Sequence, residues 1–440
     1  HCNLSTIAME MMSAVCPLET FVPARAAGQH DVLSLALPPM PLLKVAFVGV
    51  GARGRMAVTR WCHIPKVEIV AVCDVSRDVS EEVAQHVEQF GKPRPKVYWG
   101  ETAYLELCQQ EGINLVYVCT DWMSHVPIAI HAMEQSRSVA VEVPAAPTLK
   151  DIWKLIDTAE RTRQHCMMLE NAVYDNFEMA VCQMAREGLL GELVHVEGGY
   201  AHPIGDRWTP WRMEYSRLNA GDIYPTHSIG PVCRLLDIHR SDRMHYLTAM
   251  HTNAFKGAEM YQEVMGKACD SFANGDQTST MIRTVKGKTM LIQHNVMTPR
   301  PYSRMFQAVG TQGYAAKYPV PEVQLSPEMA AKVGIEMEDD KLPLNASQIE
   351  TLLNHYAPSF PSETIALAKE LDARGGMSYF MDLRLAQCLQ QGLPLDMDVY
   401  DLAEWCCIAE LSKLSVEHGS MPVMIPDFVH RRASANTEHL

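Results

Sequence analysis

Four short stretches of this 440-residue chain combine residue types that can do chemistry. The first is Gly49-Val50-Gly51-Ala52-Arg53-Gly54, which follows the apolar run KVAFV and precedes a helical pattern. Glycines at 49, 51 and 54 permit a tight turn and close backbone packing, so that a pyrophosphate can rest on the helix N-terminus. Asp74 closes the next strand-like run, VEIVAVCDV, twenty residues beyond Gly54. A carboxylate there accepts hydrogen bonds from ribose hydroxyls and repels a 2′-phosphate, which favours NAD over NADP. The glycine motif alone recurs by chance as a structural turn; strand, helix and acid around it make it specific.

The second stretch is Thr120-Asp121-Trp122-Met123-Ser124-His125, at the end of another apolar run. Trp122 offers a stacking face and His125 a polar contact to a nucleotide; the plainer reading makes His125 a cap for the next helix. The third is Glu142-Val143-Pro144-Ala145-Ala146, again at a strand end. The fourth, Tyr224-Pro225-Thr226-His227, opens an apolar helix after a loop carrying Arg207, Trp208, Trp211 and Arg212. Histidine is the default general acid/base near neutral pH. A lone histidine is more often structural, but Tyr224 and Arg212 beside this one favour chemistry.

These stretches must be positioned by a scaffold, and the spacing shows which. Apolar runs at 44–50, 67–75, 113–120 and 138–144 alternate with helical patterns at 53–62, 80–89, 103–110 and 126–135. That alternation implies a parallel sheet covered on both faces, a doubly wound Rossmann domain. Beyond residue 150 the rhythm changes. Helices at 149–164 and 176–187 lead to a strand at 192–202, a long loop at 203–222, and a helix at 226–237. Strand patterns at 244–252, 277–285, 288–298 and 304–311 then follow without intervening helices. This predicts an α+β domain with a largely antiparallel sheet. Residues 315–345 read as a proline-bearing loop, and the remainder as helical to 417. The division is therefore a leader or N-terminal arm at 1–41, a Rossmann NAD-binding domain at 42–165, and an α+β substrate and oligomerisation domain at 166–440. The arm includes a moderately apolar stretch at 4–22 before Ala24-Arg25-Ala26, which has the form of a signal cleavage site, but Glu10 and Glu19 interrupt it.

Composition narrows the partners. Hydrophobic residues are 47% and charged residues 20%, enough for large cores. A net charge of -14 repels phosphate backbones and sets nucleic acid aside. No apolar run approaches the roughly 20 residues of a membrane span. Thirteen cysteines, without a C-x-x-C, sit mostly in apolar runs and read as buried thiols, so no metal site is expected.

The layout resembles the glucose-fructose oxidoreductase/inositol dehydrogenase-like superfamily, whose members carry Glu-Lys-Pro where this chain has Glu142-Val143-Pro144. In that superfamily the lysine helps move the proton off the alcohol being oxidised. Valine cannot, so another base is required. Within the superfamily the chain resembles the NAD-dependent α-N-acetylgalactosaminidases, glycoside hydrolase family 109. The matching pieces are GVGARG, Trp122 to His125, EVPAA, Glu170-Asn171 with Tyr174, Tyr200, Trp211-Arg212, YPTHSIGPV and Tyr302. The chain departs from the pattern in TDWMSH at 120–125 and shows no alignable motif over 316–345.

The resemblance implies that Arg53, Gly54, Asp74, Trp122, His125, Glu142, Val143 and Asn171 contact NAD. It implies that Tyr174, Tyr200, Arg212, Tyr224, His227 and Tyr302 line a sugar site, with His227, Tyr224 and Tyr174 as acid/base candidates. The implied activity is glycoside hydrolysis through oxidation at carbon 3, elimination across carbons 1 and 2, water addition and re-reduction, with NAD tightly held and recycled. A glycan or glycoside with terminal N-acetylhexosamine is the implied partner, and a homo-oligomer is expected. Export to a bacterial periplasm follows from the family, whereas the unpaired cysteines favour the cytoplasm. Two rival readings stand beside this one: a sugar or cyclitol dehydrogenase, set back by Val143, and a noncatalytic NAD-bound sensor.

Overall fold

The computed structural model describes residues 16–431 apart from Glu338, so the first fifteen residues of the expected arm lie outside the described part. The chain forms two compact units. Of the described residues, one comprises Pro23–Glu187, Asn345–Cys407 and 428–431; the other comprises 16–22, Gly188–Leu344 and Ile408–Asp427.

The first unit is built on a six-stranded sheet: β1 (Leu43–Val48), β2 (Val67–Asp74), β3 (Lys96–Trp99), β4 (Leu115–Val118), β5 (Ser138–Val141) and β6 (Cys166–Met168). Its order is β3-β2-β1-β4-β5-β6, and every pairing is parallel. The connecting helices are α1 (Ala52–Cys62), α2 (Arg77–Gln89), α3 (Ala103–Gln109), α4 (His125–Glu134) and α5 (Leu149–Thr162); α6 (Asn176–Arg186) follows the sheet. β4 and β5 are buried at every position, as continuous apolar runs covered on both faces must be. The chain winds outward from β1 to β3, then returns to lay β4 against the other side of β1. That reversal opens a crevice at the strand ends where ligands bind in such sheets. β3 and β6 escape a reading by periodicity because β3 buries one position in four and β6 has three residues, whereas β4 and β5, four residues each, lie within longer apolar runs. β6 carries the sheet past residue 165, where the sequence suggests a boundary.

The second unit is built on an eight-stranded sheet: β7 (Leu193–Ala201), β8 (Met244–His251), β9 (Thr278–Thr284), β10 (Thr289–Asn295), β11 (Gln307–Gly310), β12 (Gly313–Ala316), β13 (Glu322–Leu325) and β14 (Val423–Met424). β7 and β10 pair parallel and the other pairs are antiparallel. Its helices are α7 (Pro210–Leu218), α8 (Thr226–Leu235), α9 (Gly257–Met265) and α10 (Pro327–Lys332). Two segments that read as loops are therefore partly ordered into regular elements. α7 starts with Pro210 at its first turn, where the missing N–H costs nothing. The stretch 315–345 contains the end of β12, then β13 and α10; Pro319, Pro321 and Pro327 interrupt elements this short and hide them.

The last third of the chain adds α11 (Ala346–Tyr356), α12 (Ser362–Leu371), α13 (Met377–Gln391) and α14 (Val399–Glu417). α13 supplies Asp382 to the buried core of the parallel-sheet unit. Arg60 of α1 donates from Nε to Asp382 Oδ2 at 2.6 Å, and the Tyr117 hydroxyl of β4 donates to Oδ1 at 2.8 Å. Residues preceding β1 are bound to this unit as well: Arg25 donates twice to Glu160, and the Val32 N–H donates to Tyr400, whose hydroxyl itself donates to Glu160.

Asp382 and Arg60 are 0% and 1% exposed, so neither charge has water to fall back on. Replacing Asp382 with Ala leaves the guanidinium buried without its partner and is expected to cost about 3–5 kcal/mol. Urea unfolding of Asp382→Ala against the parent chain measures this. A cost below about 1 kcal/mol would show that water reaches Arg60.

Candidate functional site

Two groups of candidate residues emerge, one on each unit. On the parallel-sheet unit, Gly49 has φ +82°, and a Cβ there would lie 2.7 Å from the backbone of Cys119 and Thr120. A Cβ on Gly54 would lie 2.0 Å from the Gly49 carbonyl oxygen. Helix α1 thus begins within backbone contact of the turn after β1. Its N-cap, Gly51, has open space around it, no side chain caps the helix, and no acid lies in the first turn. The unsatisfied N–H groups and positive end of the dipole remain available to an anion.

Asp74, half-buried at the end of β2, accepts the Val50 N–H on Oδ2 at 3.0 Å and the Ser76 N–H on Oδ1 at 3.1 Å. Arg53 forks onto Glu142, at 2.9 Å from Nε and 3.4 Å from Nη2. Glu142 also accepts the Val143 N–H. Val143 is buried and presents only an aliphatic side chain. Trp122 is buried too.

His125 is fully buried, with Nδ1 2.9 Å from the Pro144 carbonyl oxygen and Nε2 3.0 Å from that of Thr120. Burial lowers its pKa. Both ring nitrogens face backbone carbonyl oxygens, and the neutral ring donates its single N–H to one of them. Asn171 is buried and donates to Ser378 Oγ, and Tyr174 donates its hydroxyl to Asp396. An NAD molecule fits this set on the structure's own terms: an uncapped helix start, room over Gly51, and a carboxylate at the second strand end.

On the mixed-sheet unit the candidates form a wall of rings. Tyr200 on β7 lies with its centroid 4.9 Å from His227 and 5.3 Å from Tyr224, and the latter two are 5.2 Å apart. The Tyr224 hydroxyl is 3.4 Å from His227 Nε2. The contact depends on Gly198, where a Cβ would lie 2.1 Å from the Ser228 carbonyl oxygen; only glycine lets α8 settle this closely on β7. Behind the wall, Tyr200 packs with Ile204, Trp208, Met213, Tyr261, Val296 and Met297. Arg212 shares this setting: burial is the main influence lowering its pKa, while Tyr224 and Tyr200 pull the other way.

Tyr302 joins the wall through a residue that the sequence patterns do not single out. His202 lies 4.8 Å from Tyr200 and 5.1 Å from Tyr302, ring to ring. Its position two residues after Tyr200 is the available signal, since alternate strand residues share a face. Arg304 donates to the Tyr302 hydroxyl at 2.8 Å, and Tyr318 lies 6.1 Å beyond Tyr302. Tyr318 falls in the stretch that reads as loop, so no pattern marks it.

Residues 174–434 match the family model described as the C-terminal domain of glycosyl hydrolase 109, and 43–170 match the oxidoreductase family with an NAD-binding Rossmann fold. A glycosyl hydrolase family 109 protein of Bacteroides thetaiotaomicron is 48% identical over 96% of this chain and 92% of its own length. The chain belongs to glycosyl hydrolase family 109. A family 109 protein of Porphyromonas gingivalis is likewise 48% identical, over 96% of this chain and 92% of its own. Among solved structures, levoglucosan dehydrogenase in complex with NADH superposes with a TM-score of 0.66 over 87% of this chain and 99% of its own, at 16% identity. The myo-inositol dehydrogenase of Lactobacillus casei gives 0.61 over 88% and 99%, also at 16%. These two share the fold. Family 109 membership and the NAD-binding Rossmann domain together make this an NAD-dependent glycosidase at the family level.

Asp222 underlies the ring wall. It is fully buried, its Oδ1 accepts the Tyr224 N–H at 3.1 Å, and its Oδ2 has no hydrogen-bond partner among the described residues. Burial pushes the carboxyl up to about 7, against the pull of the Tyr224 N–H. Well below pH 4 the group is neutral in folded and unfolded chains alike and makes no pH-dependent contribution. Between pH 4 and 7 only the unfolded chain ionises, so stability falls with rising pH and is lowest above 7. Asp222→Asn removes that loss. Its melting temperature is expected to match the parent near pH 4 and to exceed it above pH 7. A difference independent of pH would show that Asp222 is ionised in the folded chain.

Proposed function

We propose that this family 109 enzyme cleaves terminal α-linked N-acetylgalactosamine by oxidation at carbon 3, elimination across carbons 1 and 2, water addition and re-reduction. The observation that carries the reading is the Tyr224–His227 pair, a hydroxyl 3.4 Å from an imidazole nitrogen on a wall of rings suited to the apolar face of a sugar. NAD supplies the hydride acceptor at carbon 3 and the hydride that restores the alcohol, so one molecule is held tightly and reused. Gly49, Gly51 and Gly54 with the α1 N-terminus take its pyrophosphate, and Asp74 takes the ribose hydroxyls. Arg53, Glu142, Trp122, Val143 and Asn171 would contact the nucleotide. His125 holds the surrounding loop from beneath.

Val143 explains why proton transfer is assigned to other residues. An aliphatic side chain can neither take the proton of an alcohol nor return it. His227, with Tyr224 as its proton-sharing neighbour, takes up that work. A ketone at carbon 3 acidifies the proton on carbon 2, which His227 or Tyr174 removes; the electron pair left behind expels the aglycone from carbon 1. Tyr200, Arg212 and Tyr302 orient the ring for this step. Elimination does not require a protonated leaving oxygen, which separates it from displacement between two carboxylates.

The test is a pair of α-N-acetylgalactosaminides, one with an oxygen-linked and one with a sulfur-linked aglycone. Elimination predicts that both are cleaved, with no net NADH accumulating in solution, and that His227→Ala lowers kcat/KM for both by about 10²–10⁴-fold. Cleavage of the oxygen-linked compound alone would contradict elimination. Stoichiometric NADH release would favour a dehydrogenase.

A further inference from the structure

Tyr174 sits in a setting that none of the acid/base assignments uses. It ends the one-turn helix Asn171–Tyr174 that follows β6, and this turn is fastened at both ends. Asn171 donates to Ser378 of α13, and Glu170 accepts the Ala172 N–H at 3.0 Å. The Tyr174 side chain is 6% exposed, and its hydroxyl donates to Asp396 Oδ2 at 3.1 Å. Asp396 lies on the loop between α13 and α14. Arg384 of α13 forks onto it, from Nε to Oδ2 at 3.1 Å and from Nη2 to Oδ1 at 2.9 Å. Paired bonds of this kind fix a carboxylate in both position and orientation.

We propose that Asp396, clamped by Arg384, is a positioning residue that commits the Tyr174 hydroxyl hydrogen to itself and so leaves the phenol oxygen to meet the sugar as an acceptor. The proposal rests on the reading that Tyr174 faces the bound sugar. A phenol can donate or accept, and one without such a partner would rotate between the two roles. An ionised carboxylate can only accept, so the hydrogen points at Asp396 and the remaining lone pairs point elsewhere. An acceptor oxygen is what a sugar hydroxyl requires; the acidified proton on carbon 2 can move to it only as the phenol's own proton passes to the Asp396 carboxylate. The bond to Asp396 also raises the pKa of Arg384, which keeps the clamp charged.

Asp396→Asn inverts this arrangement. The amide can donate to the phenol oxygen, turning the hydroxyl hydrogen toward the sugar, and the Arg384 fork loses its charged partner. The test is a double-mutant cycle in the full chain with an α-N-acetylgalactosaminide as substrate and NAD affinity measured alongside. In the parent, Asp396→Asn is expected to lower kcat/KM about tenfold or more with NAD affinity unchanged. In a Tyr174→Phe background the same substitution is expected to change kcat/KM less than about twofold, because its effect passes through the missing hydroxyl. Arg384→Gln runs the same cycle with the carboxylate in place and is expected to give a smaller loss that also vanishes in Tyr174→Phe, so the test does not hang on one variant folding. Equal losses in both backgrounds would show a role independent of Tyr174 and overturn the proposal. No loss in the parent background, with Tyr174→Phe impaired, would overturn it while leaving Tyr174 in the site. A Tyr174→Phe chain as active as the parent, or a parent inert toward this glycoside, would remove the reading beneath it.

Discussion

A helix can be brought to within backbone contact of a strand only where a side chain is missing, and both functional regions of this protein depend on that constraint. On the parallel-sheet unit the missing side chain is at Gly54, where a Cβ would collide with the Gly49 carbonyl oxygen. The close approach aims the uncapped start of α1 at the crevice where the strand order reverses. On the mixed-sheet unit it is at Gly198, where a Cβ would collide with the Ser228 carbonyl oxygen. There the close approach sets α8 on β7, so that His227 meets Tyr200. In each case the helix start carries candidate site residues, and the strand supplies the rigid reference.

Around these contacts several charges are held in pairs. Arg53 pairs with Glu142, Arg60 pairs with Asp382 in the core, and Arg384 with Asp396 stands at Tyr174. Asp222 is the exception. Burial raises its pKa to about 7, so it is largely neutral only below that pH, where it accepts one backbone N–H below Tyr224. A charged carboxylate in that place would cost stability without adding a bond. Val143, after the end of β5, is a buried aliphatic side chain with no group that could transfer a proton.

Much of this is legible in the residues, and the limits of legibility are physical. The strand–turn–helix around Gly49, the acid at Asp74 and the parallel sheet follow from local periodicity and spacing, because each is decided within a few residues of chain. The grouping of Tyr200, Tyr224 and His227 follows from family resemblance, and the ring distances support it. β3, β6, β12 and β13 are not legible: they are three or four residues long and, unlike the equally short β4 and β5, do not stand out as longer apolar runs. Asp382 and Asp396 are not legible either: their partners Arg60 and Tyr174 lie 322 and 222 residues away, and no local pattern encodes such a pairing. His125 shows a subtler limit. Its type and place suggest a polar contact to a nucleotide, but the fold turns both ring nitrogens onto backbone carbonyl oxygens.

If the glycosidic bond breaks by elimination through a carbon-3 ketone, the proton on carbon 2 must be lost and regained in every turnover. Proton NMR of an α-N-acetylgalactosaminide digested in heavy water tests this most directly, because direct displacement never touches that proton. Elimination predicts free N-acetylgalactosamine carrying deuterium at carbon 2. Free sugar that keeps its original carbon-2 proton throughout the digest would contradict it.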